Sequence, residues 1–531
     1  MRPFSLQARE DDRRAARETL FDAVVVGAGI NGAGIARDLA LRGLTVAVVD
    51  RGDAGGGTSS RSSRLIHGGL RYLQHGHLGL VAESTAHRWR LLHLASHLVT
   101  PLPFLFPSYR GDHTPRWMVR VGVALYGLLS LGRTPGPSRG LSPAGVLAAE
   151  PGLAREGLTG GVEYHDCATD DGRLTLETLR DAHAAGAIFF PRTEVTGGIR
   201  EGGRLRGVAV RDLLDGAAWE LRGRVVINAS GPWTDAVHAR LVPGGVPRWL
   251  RPTKGVHLVF PRERLPVSRA VTMIVPEDRR PVFAIPWGTA VYVGTTDTDV
   301  ADPDAPLETT PADTDYLLRV TGRFFPGAGL GAGDVLSSWA GLRPLVWDEA
   351  AASASDVSRE ERIAEAAPGL VTVAGGKLTT FLLMARRTAD LAARVLARDH
   401  GVNVPRSRAE RLALLAVRPA GGLAAARTLA AARAAERGLP VDGAALAARR
   451  GFDALALLDL MAAEPALAEP CAPGLPWRAA ELRFAVDHEY ALTAEDLLVR
   501  RTHLFYRDPA HGAGVDLTGL SLTPPFQPVE L

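Results

Sequence analysis

The chain has 531 residues, 46% hydrophobic and 22% charged, which excludes a disordered or membrane-spanning polypeptide and is too long for a single compact core. A formal net charge of +3 does not suggest bulk nucleic-acid binding. Cys167 and Cys471 stand apart in no CxxC or Cys/His cluster, which argues against a disulfide framework or a metal site and fits a reducing, cytoplasmic setting.

Residues 1–20, with Arg9-Glu-Asp-Asp-Arg-Arg14, lack the apolar core of a secretory signal and read as a polar extension outside the fold. Asp22–Val26 then predicts a buried strand, Gly32–Arg42 a helix and Thr45–Val49 a second strand. Between strand and helix lies Gly27-Ala-Gly29-Ile-Asn31-Gly32, and Asp50 follows 18 residues after its last glycine. Glycines allow a tight turn and close backbone approach to a pyrophosphate, and the acid can accept from a ribose hydroxyl, so this unit predicts dinucleotide binding.

A hydroxyl-rich loop follows, Thr58-Ser-Ser-Arg-Ser-Ser63, running into Arg64-Leu-Ile-His-Gly-Gly-Leu-Arg-Tyr72. The window Trp117–Leu131 is apolar between basic ends, too short to span a bilayer, and suits either a helix lying in the headgroup plane or a buried one. Further strands are predicted at 207–211, 225–228, 256–260, 291–294 and 370–373. Beyond about Val404 the sequence turns alanine-rich and helical, which places a boundary there. Only two of the 61 basic side chains are lysines, Lys254 and Lys377.

With these blocks the sequence resembles the FAD-dependent glycerol-3-phosphate dehydrogenase family. The matching run is unbroken from Thr58 to Leu73, and Ile227–Trp233, Lys254-Gly-Val-His257, Gly294-Thr-Thr-Asp297, Ala340–Leu345 and Gly375–Thr380 follow in family order. The resemblance implies a doubly wound, Rossmann-like FAD-binding domain over residues 21–404. An antiparallel-sheet substrate domain, roughly 75–160 and 245–340, is interleaved with it, and a helical C-terminal domain, 405–531, follows. It implies FAD as cofactor and conversion of sn-glycerol 3-phosphate to dihydroxyacetone phosphate.

By motif position, the resemblance brings Gly27, Gly29, Asn31, Gly32, Asp50, Arg51, Thr58, Ser59, Ser60, Ser63, Leu65, His67, Gly68, Gly69, Gly231, Gly376, Leu378 and Thr379 to the cofactor. Arg71, Tyr72 and Arg359 are expected at the substrate phosphate and Arg343 at the C2 oxygen, with Lys254 also assigned to substrate. His257 is the leading general base because imidazole titrates near neutrality, with His67 and Lys377 as alternatives and a core histidine as the plain reading of its strand. Lys377 is expected to face flavin or substrate oxygens as a compact point charge.

The family pattern further implies membrane quinone as acceptor, a peripheral position on the inner face of the cell membrane, and no nucleic-acid partner. It leaves room for a homodimer. An oxygen-using oxidase and a non-catalytic flavin-binding protein are the alternatives; the intact HGGLRYL, GLRPL and GGKLTT blocks speak against the second.

Overall fold

The computed structural model describes residues 3–70, 73, 78–244, 248–348 and 361–523. Phe21–Val26 lies in the middle of an eight-stranded sheet, with Ala23, Val24 and Val25 wholly buried, as an uninterrupted apolar run requires when both faces are covered. The sheet runs Glu361–Ala367, Leu370–Gly375, Ala218–Asn228, Phe21–Val26, Val46–Val49, Ile188–Phe190. Along this path all neighbours pair in parallel except the first two, so the core is a wound strand-helix-strand assembly. Arg204–Asp212 and Thr193–Glu201 complete the eight as an antiparallel extension of Ala218–Asn228. The helices Ile30–Leu41, Asp171–Ala184 and Phe381–His400 pack together beside it.

A second, ten-stranded sheet is almost entirely antiparallel. Near one end of it, Leu250–Pro261 is flanked by Ala290–Gly294 and Ser337–Val346. Strands 99–109 and 158–169 join it from earlier in the chain, so the two sheets interleave in sequence as the fold class expects.

Residues 3–20, read from sequence as a polar extension outside the fold, pack against it. Arg9–Glu18 is a helix, and buried Arg9 donates to Asp212 Oδ2 (2.8 Å) and to Pro191 O (2.7 Å). Phe4 is buried against Phe189 and Tyr490. The acidic partner of this basic segment lies about 200 residues away, so its charges read as solvated from sequence alone.

The C-terminal region is helical, with Gly422–Glu436, Gly443–Arg450, Asp453–Ala463 and Ala479–His488, then a wide π-helical turn Asp496–Arg501. Its alanine run is an interface: Ala426, Ala430 and Ala434 form a buried stripe that packs with Leu446, Leu457 and Leu458. One stretch, Ala409–Glu436, is long and apolar enough to be a candidate span. It is interrupted by 3-10 turns, and its continuous helix has 15 residues, about 22 Å against a hydrocarbon core of roughly 30 Å.

Candidate active site

The strand Phe21–Val26 ends at a cavity of about 430 Å³. Gly27, Gly29 and Asn31 line it at the start of the helix Ile30–Leu41, where free backbone N–H groups and the helix dipole favour an anion. Gly32 stands behind the wall: a Cβ there would come within 1.9 Å of Gly27 O, so the missing side chain lets the helix close on the turn. Ser59 Oγ accepts from Ile30 N (2.9 Å) and holds the hydroxyl loop over the helix start.

Asp50 lines the same cavity and accepts from Ala28 N (2.6 Å) and Gly52 N (2.7 Å). Burial pushes its carboxyl up, and these two N–H groups offset only part of that. Arg51 pairs with Asp304 (2.6 Å) and lies over Trp233, with Gly231 beside it in the wall. Asn31 Oδ1 is buried with no hydrogen-bond partner among the described residues. An unspent acceptor, a helix N-terminus and a carboxylate at the end of the second strand fit a bound dinucleotide.

A second chamber of about 180 Å³ shares Thr58, Arg61, Ser62 and Gly375–Leu378 with the first. One wall is the paired strands Leu250–Pro261 and Ser337–Val346, in register with His257 opposite Trp339 and Gly255 opposite Gly341. Two glycines make the room. A Cβ on Gly294 would sit 2.2 Å from His257 Cδ2, and one on Gly255 would sit 2.3 Å from Arg343 Nη2.

His257 Nε2 lies 2.9 Å from Ser63 Oγ, and its ring stacks on Trp339 at 4.7 Å. Burial first, then the charges of Arg343 and Arg64, pushes this imidazole well below its ordinary value, so it is neutral near pH 7. Arg343 is aimed by Asp297 (2.9 Å), Thr295 Oγ1 (2.8 Å) and Thr296 O (3.0 Å). Leu65, His67 and Thr379 complete the wall; the Thr379 hydroxyl accepts from His67 N (3.1 Å) and donates to His67 O (3.0 Å). Arg61, Arg343 and Lys377 put three cations in this wall, and no carboxylate stands among its described lining residues.

Several expectations are placed differently. Lys254 turns from the chamber: its Nζ donates to Asp313 Oδ2 (2.7 Å) and Glu308 O (3.1 Å). The pleat explains it, since Gly255 and His257 share one face and Lys254 falls on the other. Ser60 lies outside both cavities and donates to Gly55 O (2.8 Å) within the loop. Gly68 packs against Tyr126, whose hydroxyl accepts from Gly68 N (2.8 Å), and Gly69 also lies outside both walls. Arg71, Tyr72 and Arg359 fall outside the described residues.

Other lining residues escape a motif reading. Arg61 occupies the variable position of the hydroxyl loop, and Glu495 and Arg500 reach the first cavity from the C-terminal region with no local signal. Trp339 was within reach of a period-two reading, because it shares a strand face with Gly341 and Arg343.

Comparison with known proteins places these features in company. A family model described as FAD dependent oxidoreductase matches residues 22–391, and one described as the C-terminal domain of alpha-glycerophosphate oxidase matches 416–516. Glycerol-3-phosphate dehydrogenase 2 of Mycobacterium tuberculosis is 39% identical over 502 residues, 93% of this chain and 82% of the relative. Aerobic glycerol-3-phosphate dehydrogenase of Staphylococcus epidermidis is 38% identical over 403 residues, 75% of this chain and 72% of the relative. The crystal structure of glycerol-3-phosphate dehydrogenase from Bacillus halodurans complexed with FAD superimposes with a TM-score of 0.77 at 31% identity, covering 95% of this chain and 90% of the other.

Proposed function

The chain belongs to the FAD-dependent glycerol-3-phosphate dehydrogenase family, and we propose that it oxidises sn-glycerol 3-phosphate to dihydroxyacetone phosphate and delivers the electrons to membrane quinone. The observation that carries this reading is the smaller chamber, lined by three cations, a neutral imidazole and no described carboxylate, with the dinucleotide cavity alongside. A phosphate ester with nearly two negative charges suits that wall.

FAD, when bound, supplies an acceptor for the hydride that leaves C2. His257 takes the hydroxyl proton, a role open to it because it enters the reaction neutral. Arg343, locked by Asp297, Thr295 and Thr296, steadies the C2 oxygen as it becomes a carbonyl, without having to reorganise. Lys377 borders both chambers and presents its compact charge where substrate and cofactor meet. Gly27, Gly29, Asn31, Asp50, Gly376 and Leu378, all in the wall of the larger cavity, would hold the dinucleotide.

Membrane delivery is supported by the helix Arg116–Leu129. Val119, Val123 and Tyr126 are buried and anchor it, while Trp117, Val121 and Leu128 are 64%, 57% and 70% exposed among basic side chains. This exposed apolar face supports a peripheral position on the cytoplasmic face of the cell membrane. The deciding experiment is anaerobic addition of sn-glycerol 3-phosphate to the purified holoenzyme. Bleaching of flavin absorbance is expected, and unchanged absorbance would remove the reading. The matching C-terminal model carries an oxidase's name, so an oxygen electrode is the companion test; rapid oxygen uptake with peroxide release would replace quinone by oxygen.

A further inference from the structure

Arg64 belongs to the loop that builds both chambers yet lines neither. Its φ of +52° is in the left-handed region, uncommon for a residue with a Cβ, and its side chain is 3% exposed. A buried guanidinium is ordinarily met by close carboxylates; this one has Asp171 and Asp170 only within electrostatic reach and packs against rings. Its Cζ lies 4.2 Å from the centre of Trp287, 5.1 Å from Trp339 and 5.8 Å from Tyr506.

Its polar contacts are thin. Asp171 Oδ1 is 3.9 Å from Nε, and the Asp171 carboxylate already accepts from Ser62 N (3.0 Å), Ser62 Oγ (2.7 Å) and Gly172 N (2.9 Å). His503 Nδ1, 3.4 Å from Nη2, is turned to Val499 O at 2.8 Å. Nε and Nη1 have no hydrogen-bond acceptor among the described residues. A cation left this way costs stability, so a function for it is worth seeking.

Trp339 connects Arg64 to the chemistry. Its indole stacks on His257 with planes 16° apart and donates Nε1–H to Ser62 O (3.3 Å). A dianionic substrate entering the chamber would favour the imidazolium and so consume the base before reaction. The Arg64 charge opposes that from outside the lining of either chamber. The other groups around His257 are Arg343 on the Trp339 strand, Tyr292 on the neighbouring strand, Ser63 in the loop, and Lys377 and His67 in the chamber wall. We propose that Arg64 is a positioning residue, acting through Trp339, that keeps His257 neutral and aimed while the chamber holds an anionic substrate. This rests on reading His257 as the base.

The test is the rate of anaerobic flavin reduction at saturating sn-glycerol 3-phosphate from acid to alkaline pH, with FAD content measured for each holoenzyme. The unaltered enzyme is expected to lose rate on the acid side, and His257→Asn to lack that limb. Arg64→Met should move the limb upward by about one pH unit, slowing reduction on the acid side about tenfold, with KM within about twofold. Arg64→Gln reads the same shift should the methionine variant not retain FAD, and Arg64→Lys should return the limb. A neutral variant with the limb and rate unmoved overturns the inference. So does loss of FAD from both neutral variants, which would make Arg64 structural only. An acid limb surviving in His257→Asn instead overturns the base assignment.

Discussion

Asp53 and Arg500 are 447 residues apart in the chain and 2.7 Å apart in the fold. Arg501 also grips Asp53, with 2.8 Å bonds to both carboxylate oxygens, and Arg500 further pairs with Glu495 (2.5 Å) and Asp496. Asp53, Glu495 and Arg500 all line the larger cavity, so the helical C-terminal region supplies part of the cofactor wall.

Asp53→Asn leaves two buried guanidinium groups short of their counter-charge, which costs about 3–5 kcal/mol. A lower unfolding midpoint and faster FAD release on dilution are expected, read by denaturant titration and flavin fluorescence. A variant matching the parent in both would show the clamp to be dispensable.

Lys377 borders both chambers. Lys377→Arg keeps the charge but brings a larger planar fork to the boundary of the two chambers, so under the proposed function flavin reduction should slow at least about tenfold at saturating substrate. Stopped-flow absorbance checks this; full activity would mean that shape does not matter there.

Lys254 predicts the reverse pattern. Its Nζ is committed to Asp313 and Glu308 O, tying the strand Leu250–Pro261 to the helix Pro311–Phe324. Lys254→Met should lower stability by about 1.5–3 kcal/mol, the range for a charged hydrogen bond, and leave KM for substrate unchanged. A raised KM with unaltered stability would return Lys254 to the substrate site.

His87 sets an acid limit on stability. Burial, then Arg90, Arg386 and Arg387, pushes its imidazole down to about 4. The folded state thus holds it neutral while the unfolded chain takes up a proton near its ordinary value of 6.5. The contribution is complete above about pH 6.5, falls as pH drops, and is lost below about pH 4, amounting to about 3 kcal/mol. The thermal midpoint of His87→Gln should therefore fall less steeply over this window than the parent's; parallel curves would count against the assignment.

The outer face of Arg116–Leu129 should bind anionic bilayers. Introducing Glu at Val121 and Leu128, both exposed, should abolish flotation with anionic liposomes and leave flavin reduction in solution unchanged. Flotation equal to the parent's would exclude this helix as the membrane contact.

Features set by neighbours in the chain are legible in the sequence. A strand, a glycine turn and a helix with Asp50 at the next strand end read directly as a dinucleotide cradle, because backbone geometry and helix-end charge are local. The departures arise where a local reading misses a distant partner. The basic N-terminus reads as solvated because Asp212 is remote in the chain, and Lys254 reads as part of a KGxH block whose successive residues face opposite ways.

By itself the sequence determined the wound cofactor half, the family's motif order and the presence of His257, Arg343 and Lys377, all matters of spacing along one strand or turn. Tertiary structure alone decided what surrounds them: Arg64 against Trp287 and Trp339, Gly294 vacating space for His257, and Arg500 closing on Asp53. Burial and charge act through space, and a side chain's environment is set by whichever strands and helices pack against it, however far away they lie in the chain.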